Sequence, residues 1–287
     1  MAFKRRYRWS RLAMAAELLV VTAGSVVALA TNAWRHKSMT LIERLRPRPA
    51  HPAVYDEGEL EGLPGPVARY FRAVLRNGQP IIRYAELSQR GRFLVPPGRS
   101  GWRRFYAMHH VAPTSVSFLW DASIRLLPGI AVLVRDSFID GAGAMRADMM
   151  AVWPLIDVEG TPDMAAGALQ RYLAEAAWVP TALLPSQGVR WSPIDEKSAS
   201  ASITVGATTV SLDFTFAADG TVSSVFTNAR ARAVGASFVL TPWQGRFSRY
   251  AEMHGMKIPL CVEVEWLLPE GPPQPYWIGE ITATLYE

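Results

Sequence analysis

The chain has 287 residues, of which 49% are hydrophobic and 19% charged. That length and mixture suit one large β-rich domain or two small ones with a real core, and exclude long disorder. The net charge of +5 is concentrated at one end: residues 1–48 hold ten of the 30 Lys and Arg against Glu17 and Glu43 alone, which leaves 20 basic and 23 acidic residues elsewhere. The body of the protein is therefore slightly acidic. That excludes a nucleic-acid-binding domain, which needs its basic patch on the folded surface. The single cysteine, Cys261, excludes an internal disulfide and any cysteine-built zinc site.

Met1 to Arg11 is basic, and Leu12 to Trp34 is largely apolar. As a helix those residues would span roughly 35 Å, enough for a hydrocarbon core of about 30 Å. Trp9 and Trp34 bracket the run as interfacial anchors would. The expectation is an N-terminal transmembrane helix in residues 1–43, with the remaining domain extracytoplasmic and the membrane as a partner. The alternative is cleavage after Ala28-Leu29-Ala30, which would leave a secreted or periplasmic protein. Residues 44–62, rich in Pro, Gly and charge, read as a linker, and residues 63–287 as the β-rich domain.

In that domain a first helix is expected over Pro64–Arg76, with Val67, Tyr70, Phe71 and Val74 on its apolar side. Strands follow over Arg83–Val95, Trp102–Val111, Val116–Ile124, Ile130–Asp140 and Ala144–Val158. Pro96-Pro97-Gly98 reads as a turn, and Asp140-Gly141 as a hairpin signal. Thr161-Pro162-Asp163 combines a capping hydroxyl, a first-turn proline and a carboxylate at the positive end of the helix dipole. It opens a second helix, with Ala165, Leu169, Tyr172, Leu173 and Ala176 as the apolar stripe, which Pro180 ends. Arg171 and Glu175, four apart on another face, read as an exposed ion pair. Strands resume at Val189 and continue over Thr208–Phe216, Thr221–Val234, Ser237–Phe247, Cys261–Leu268 and Trp277–Tyr286. The total is about eleven strands in an antiparallel meander with no βαβ alternation. The fold class expected is mainly β: a large curved antiparallel sheet or half-barrel, two packed helices and the transmembrane helix.

No zincin, EF-hand, P-loop or nucleophile-elbow pattern is present. His109 and His110 are adjacent in a strand, point to opposite faces and cannot share a metal. No cofactor and no metal site are expected, and no catalytic residue is singled out. Asp136 and Asp140 share a strand face but stand roughly 13 Å apart, too far for a retaining glycosidase pair. Candidate ligand-binding residues are Arg171 and Glu175, as a polar gate at an apolar cavity, with Trp178, Trp191 and Trp243 lining it and Asp136, Asp140 and Asp195 as dispersed polar groups. For each tryptophan the plain alternative is core packing.

The run Arg171-Tyr172-Leu173-Ala174-Glu175, then Trp178, Pro180-Thr181-Ala182-Leu183-Leu184-Pro185, Trp191 and Asp195, resembles the signature of a family of uncharacterised bacterial membrane-anchored proteins. Asp136, Asp140, Gly141 and Gly143 upstream fit it, as do Pro242-Trp243, Tyr250, Gly255, Pro259 and Trp266 downstream. The resemblance covers roughly Leu63 to Glu287 and brings no activity with it. The topology, a long meander interrupted by helices, is similar to the lipoprotein-carrier fold, in which a half-barrel closes over helices and holds acyl chains. Three functions remain open: non-catalytic binding of a lipid or amphipathic ligand, an enzyme with a site built from the dispersed Asp, Glu and Arg residues, and an envelope scaffold for another protein. Whether the chain is an enzyme stays undecided at this level.

Overall fold

The structure, a computed structural model, describes residues 2–47, 53–95, 101–235 and 237–287, and omits the side chains of residues 2–13, 15, 16 and 19. The Pro96-Pro97-Gly98 turn, residues 48–52 of the expected linker, and the Trp9 side chain lie outside the described residues. Three α-helices occur among the described residues: α1 (Ala2–Leu45), α2 (Gly65–Val74) and α3 (Pro162–Glu175). The first half of the meander is β1 (Ala85–Leu94), β2 (Trp102–Ala112), β3 (Ser117–Leu127), β4 (Ile130–Ile139), β5 (Ala142–Met149) and β6 (Trp153–Glu159). The second half is β7 (Arg190–Pro193), β8 (Ser198–Val205), β9 (Thr208–Phe216), β10 (Val222–Val234), β11 (Ser237–Met253), β12 (Met256–Trp266) and β13 (Gln274–Tyr286).

All thirteen form one open antiparallel sheet in the order β6-β5-β4-β3-β2-β1-β13-β12-β11-β10-β9-β8-β7. Every neighbouring pair but one is consecutive in sequence; the exception is β1 with β13, where the two halves join in mid-sheet. The chain must therefore cross from the β6 edge to the opposite β7 edge. α3 and the short 3₁₀ turns Ala176–Trp178, Pro180–Leu183 and Pro185–Gln187 make that crossing. α3 packs on β4 and β5 from one half and on β9 and β10 from the other. β5 and β9 are nine ladder steps apart, roughly 43 Å in a flat sheet, whereas a helix with its side chains is about 10–12 Å across. The sheet must curl around the helix for both contacts to exist.

The concave face holds the main core, in which α2 and α3 pack against alternate strand residues such as Leu87, Phe105, Phe118 and Phe138. Residues one position along, Tyr84, Ala112, Leu119 and Ile139, point to the convex face, where Leu45 of α1 covers them with Leu41 and Ile42 beside it. This is the period-two geometry of a strand buried on both sides. Tyr55 and Leu60, from the stretch read as a linker, are buried in the main core as well.

Three expectations need correction. The first is the transmembrane helix: among the described residues no helix is long and apolar enough to cross a membrane. The apolar run of α1 is diluted by Glu17, Thr22, Gly24, Ser25, Thr31 and Asn32. Beyond it the helix docks on the sheet. Trp34, read as an interfacial anchor, is buried: its Nε1 donates to Asp121 at 3.2 Å, and the Arg135 guanidinium lies 3.9 Å from its ring centroid. Ser38 also donates to Asp121, and Arg44 pairs with Asp140 at 2.5 Å. There are accordingly three helices, where two packed helices and a separate membrane span were expected.

The second is the strand count. Ala144–Val158 is two strands joined by a turn at Met150 and Ala151, whose φ values of 55° and 59° are in the left-handed region. No glycine or asparagine marks that turn, so sequence cues miss it. The stretch from Val189 likewise splits into β7 and β8 around a turn capped by Asp195. The third concerns Arg171 and Glu175, which are half-buried rather than exposed, at 14% and 18% side-chain accessibility.

The Asp140-Gly141 turn forms as expected, with φ of 53° and 80°, pairing Ile139 with Ala142. Gly143 has a different role. A Cβ there would lie 2.4 Å from the Met164 carbonyl oxygen and 2.9 Å from the Ala165 nitrogen, so a bare backbone lets β5 meet the first turn of α3. Gly143→Ala should therefore destabilise the protein by about 1–3 kcal/mol through forced separation of strand and helix. Urea unfolding measures this; an unchanged midpoint would show that α3 can shift freely.

Candidate functional site

α3 is buried on two sides. Its expected apolar stripe, including Leu169, Tyr172 and Leu173, packs into the core. A second stripe, Met164, Gly167, Ala168, Arg171, Ala174 and Glu175, also follows helical spacing and lines a cavity of ≈ 520 Å³ against the concave sheet face. The space exists because this stripe offers glycine and alanine where larger side chains would fill it. The sheet wall is mostly apolar, with Trp120 and Ile124 of β3, Val132 and Val134 of β4, Trp243 and Phe247 of β11, and Val262, Val264 and Trp266 of β12. Leu155, Ile156, Ala233 and Phe238 are lining residues exposed to solvent, and they mark the mouth between β6 and the β10–β11 hairpin.

Polar groups enter this wall in two places. In the first, Arg171 reaches from α3 to β4. Its Nη1 donates to Asp136 Oδ2 at 2.5 Å and its Nε to Glu175 Oε1 at 2.8 Å. The guanidinium also lies 4.9 Å from the Trp120 ring centroid and 5.3 Å from that of Phe118. Burial would lower the Arg171 pKa, but the Glu175 and Asp136 carboxylates outweigh it and hold the guanidinium charged. Burial raises the Glu175 pKa, opposed by the attraction of Arg171. Its second oxygen, Oε2, sits 3.3 Å from His109 Nδ1 of β2, yet neither atom completes a hydrogen bond. Burial, and next the Arg171 charge, push His109 well below the ordinary histidine range, so its ring is neutral. The Trp178 indole N–H, whose ring lies 5.9 Å from that of His109, is buried without a partner too.

In the second place, β10 brings Arg230 and Arg232 to the wall. Their guanidiniums lie 4.9 Å from the Trp243 centroid and 6.0 Å from the Trp266 centroid. Tyr276 closes this shelf, stacking on Trp266 at 5.5 Å and accepting from Trp243 Nε1 at 2.9 Å.

The eight candidate residues thus divide. Asp136, Arg171, Glu175 and Trp243 meet at the cavity. Trp178 is fully buried beside it, against His109 and Trp277. Trp191 packs elsewhere, with Phe71, Phe214 and Phe216, and donates to the Leu183 carbonyl. Asp195 is an exposed turn cap. Asp140 is an exposed turn residue paired with Arg44. The sequence reading missed His109, Arg230, Arg232, Trp266 and Tyr276. In Ala229-Arg230-Ala231-Arg232-Ala233 the alternation looks like a solvated strand face; a wet but enclosed concavity produces the same pattern.

No curated protein matches the chain. Among solved structures, a LolA superfamily protein from Nitrosomonas europaea is similar at 9% identity and a TM-score of 0.42, over 81% of this chain and 93% of that one. A beta-barrel-like protein of a domain of unknown function, DUF1849, from Brucella abortus is similar at 9% identity and a TM-score of 0.20, over 72% of this chain and 98% of that one. Both are too remote to carry a ligand or partner across to this chain.

Glu175 also sets a pH dependence. It faces Arg171 on its own helix, His109 on β2, Asp136 on β4 and the charge of Arg230 on β10. Because its folded pKa is raised, the native state holds this proton more tightly than the unfolded chain. Its contribution to stability is then greatest at low pH and declines as pH rises from the ordinary value of 4.5 to the raised one. Glu175→Gln should flatten that part of the profile, measured as urea midpoints across the acid-to-neutral range; an unaltered slope would assign the effect elsewhere.

The family comparison agrees with the helix–proline signature: a model of a family of unknown function matches residues 61–286, nearly all of the sheet domain, and the chain belongs to that family, DUF6920.

Proposed function

We propose that the protein binds a lipid or another amphipathic molecule, without transforming it, in the cavity between α3 and the concave face of the sheet. One observation carries this reading: an apolar, aromatic-rich cavity of ≈ 520 Å³ that opens to solvent. Small-molecule sites fall at roughly 300–1,000 Å³ with mostly apolar walls and a few placed polar groups. Asp136 and Glu175, the carboxylates nearest the centre, are both engaged by Arg171, which favours a fixed frame over a reacting set.

Protein extracted gently should carry lipid detectable by mass spectrometry. Gly167→Leu gives a sharper test. A Cβ at Gly167 would meet nothing within 4 Å, and Gly167 lines the cavity, so a larger side chain can start there without a clash at its Cβ. Helix propensity should raise stability by roughly 0.5–1 kcal/mol, while binding of a fluorescent apolar probe falls at least about tenfold. Full probe binding by a stable Gly167→Leu protein would overturn the cavity as the site.

The second oxygen of Glu175, which makes no hydrogen bond and lies 3.3 Å from His109 Nδ1, supports a second reading, an enzyme acting on the same ligand, with Glu175 as the group able to exchange a proton. Incubating the extracted ligand with the protein and with its Glu175→Gln variant separates the two. A product mass formed only by the unaltered protein supports catalysis, and an unchanged ligand in both removes it.

A further inference from the structure

Of the cationic groups at the cavity, Arg171 is ion-paired with two carboxylates, but Arg230 and Arg232 are not ion-paired among the described residues. Each makes one hydrogen bond: Arg230 Nη1 to the Gly167 carbonyl at 2.9 Å, and Arg232 Nε to Thr241 Oγ1 at 3.3 Å. A guanidinium carries five N–H donors, so most remain free. Two residues apart on β10, the side chains share one face of the strand, each laid over an indole. Stacking on an aromatic face fixes the guanidinium plane and leaves its edge for a planar or tetrahedral oxyanion, which Arg recognises through paired N–H bonds. Their strand also carries exposed Ala233 to the mouth, while the opposite wall is aliphatic and aromatic. Asp163 of α3, which is exposed, is the third lining carboxylate; three carboxylates and three arginines thus line the cavity, and the two arginines of β10 are the cations that no carboxylate contacts.

From this we infer that the ligand is an anionic amphiphile, its carboxylate or phosphate head held by Arg230 and Arg232 on the Trp243–Trp266 shelf and its apolar part in the cavity. The inference rests on the binding function proposed above and specifies the head group.

Displacement of a bound fluorescent apolar probe from the full chain tests it, with competitors matched in chain length: dodecanoate, dodecyl phosphate, dodecanol and dodecyltrimethylammonium. Dodecanoate or dodecyl phosphate should compete at least about tenfold better than dodecanol, and the cation worst of all. The stronger of the two anions distinguishes a fatty acid from a phosphate-bearing lipid. Arg230→Gln/Arg232→Gln should bring the anions to the level that dodecanol reaches in the same variant. Arg232→Gln alone should lose part of the preference, and Arg230→Lys/Arg232→Lys should keep part of it. Equal competition by dodecanol and the anions, or a preference that survives the double Gln variant, would overturn the head-group assignment and leave the cavity standing. Failure of the probe and of every competitor to bind would overturn both.

Discussion

The arrangement of this protein depends on the placement of one cation, Arg171, between helix and sheet. A guanidinium taken out of water is costly unless its donors and charge are answered. Here Asp136 of β4 and Glu175 of α3 answer it, and the rings of Trp120 and Phe118 cover its face. A buried ion pair is a weak source of net stability, because desolvation offsets most of the Coulomb gain. Its bidding is geometric: hydrogen bonds with narrow angular tolerance set how far along β4 the helix sits. That distance matters because α3 is the only α-helix in the crossing from the β6 edge to the β7 edge.

The curl of the sheet follows from the same crossing. A thirteen-stranded antiparallel sheet with consecutive neighbours would otherwise lie open, with both faces needing cover. Wrapping it around α3 and α2 buries the concave side chains at roughly 1.5–3 kcal/mol for each large residue fully covered. The C-terminal part of α1 covers part of the convex side. Where α3 presents Gly167, Ala168 and Ala174 the wrap leaves a cavity. A space of this size costs van der Waals contact if it stays empty. A ligand that fills it recovers those contacts, which links the stability of the domain to occupancy.

The reversal at Trp34 shows how sequence patterns can be ambiguous in physical terms. A tryptophan closing an apolar helical run has one edge to bury and one N–H to satisfy. A bilayer interface meets both needs, and so does a sheet face offering Asp121 and Arg135. Those two residues are 87 and 101 positions away in the chain, so no local pattern distinguishes the cases. The turn at Met150–Ala151 was hidden for a related reason: its strained backbone is held by the pairing on either side, not by turn-favouring residues. Arg171 and Glu175 have the i, i+4 spacing of a solvated pair, and only the second wall of the cavity reveals them as half-buried.

What the sequence by itself determined is what depends on near neighbours in the chain. The two-residue alternation marked most strands, the capping residue and first-turn proline opened α3, though it ends at Glu175 and not at Pro180, and Asp140-Gly141 made its hairpin. The 3.6-residue period separated the core stripe of α3, and the run from Arg171 to Pro185 pointed to the family. Tertiary structure alone decided what depends on distant neighbours: where α1 rests, how the two halves of the sheet join through β1 and β13, and which polar groups share an enclosed space. Asp136 and Trp243, though 107 positions apart, line one cavity, while Trp191 and Asp195 belong elsewhere. Burial and charge pairing are properties of position in space, and the same arginine is a solvated surface group or an anion-binding group according to what the fold sets opposite it.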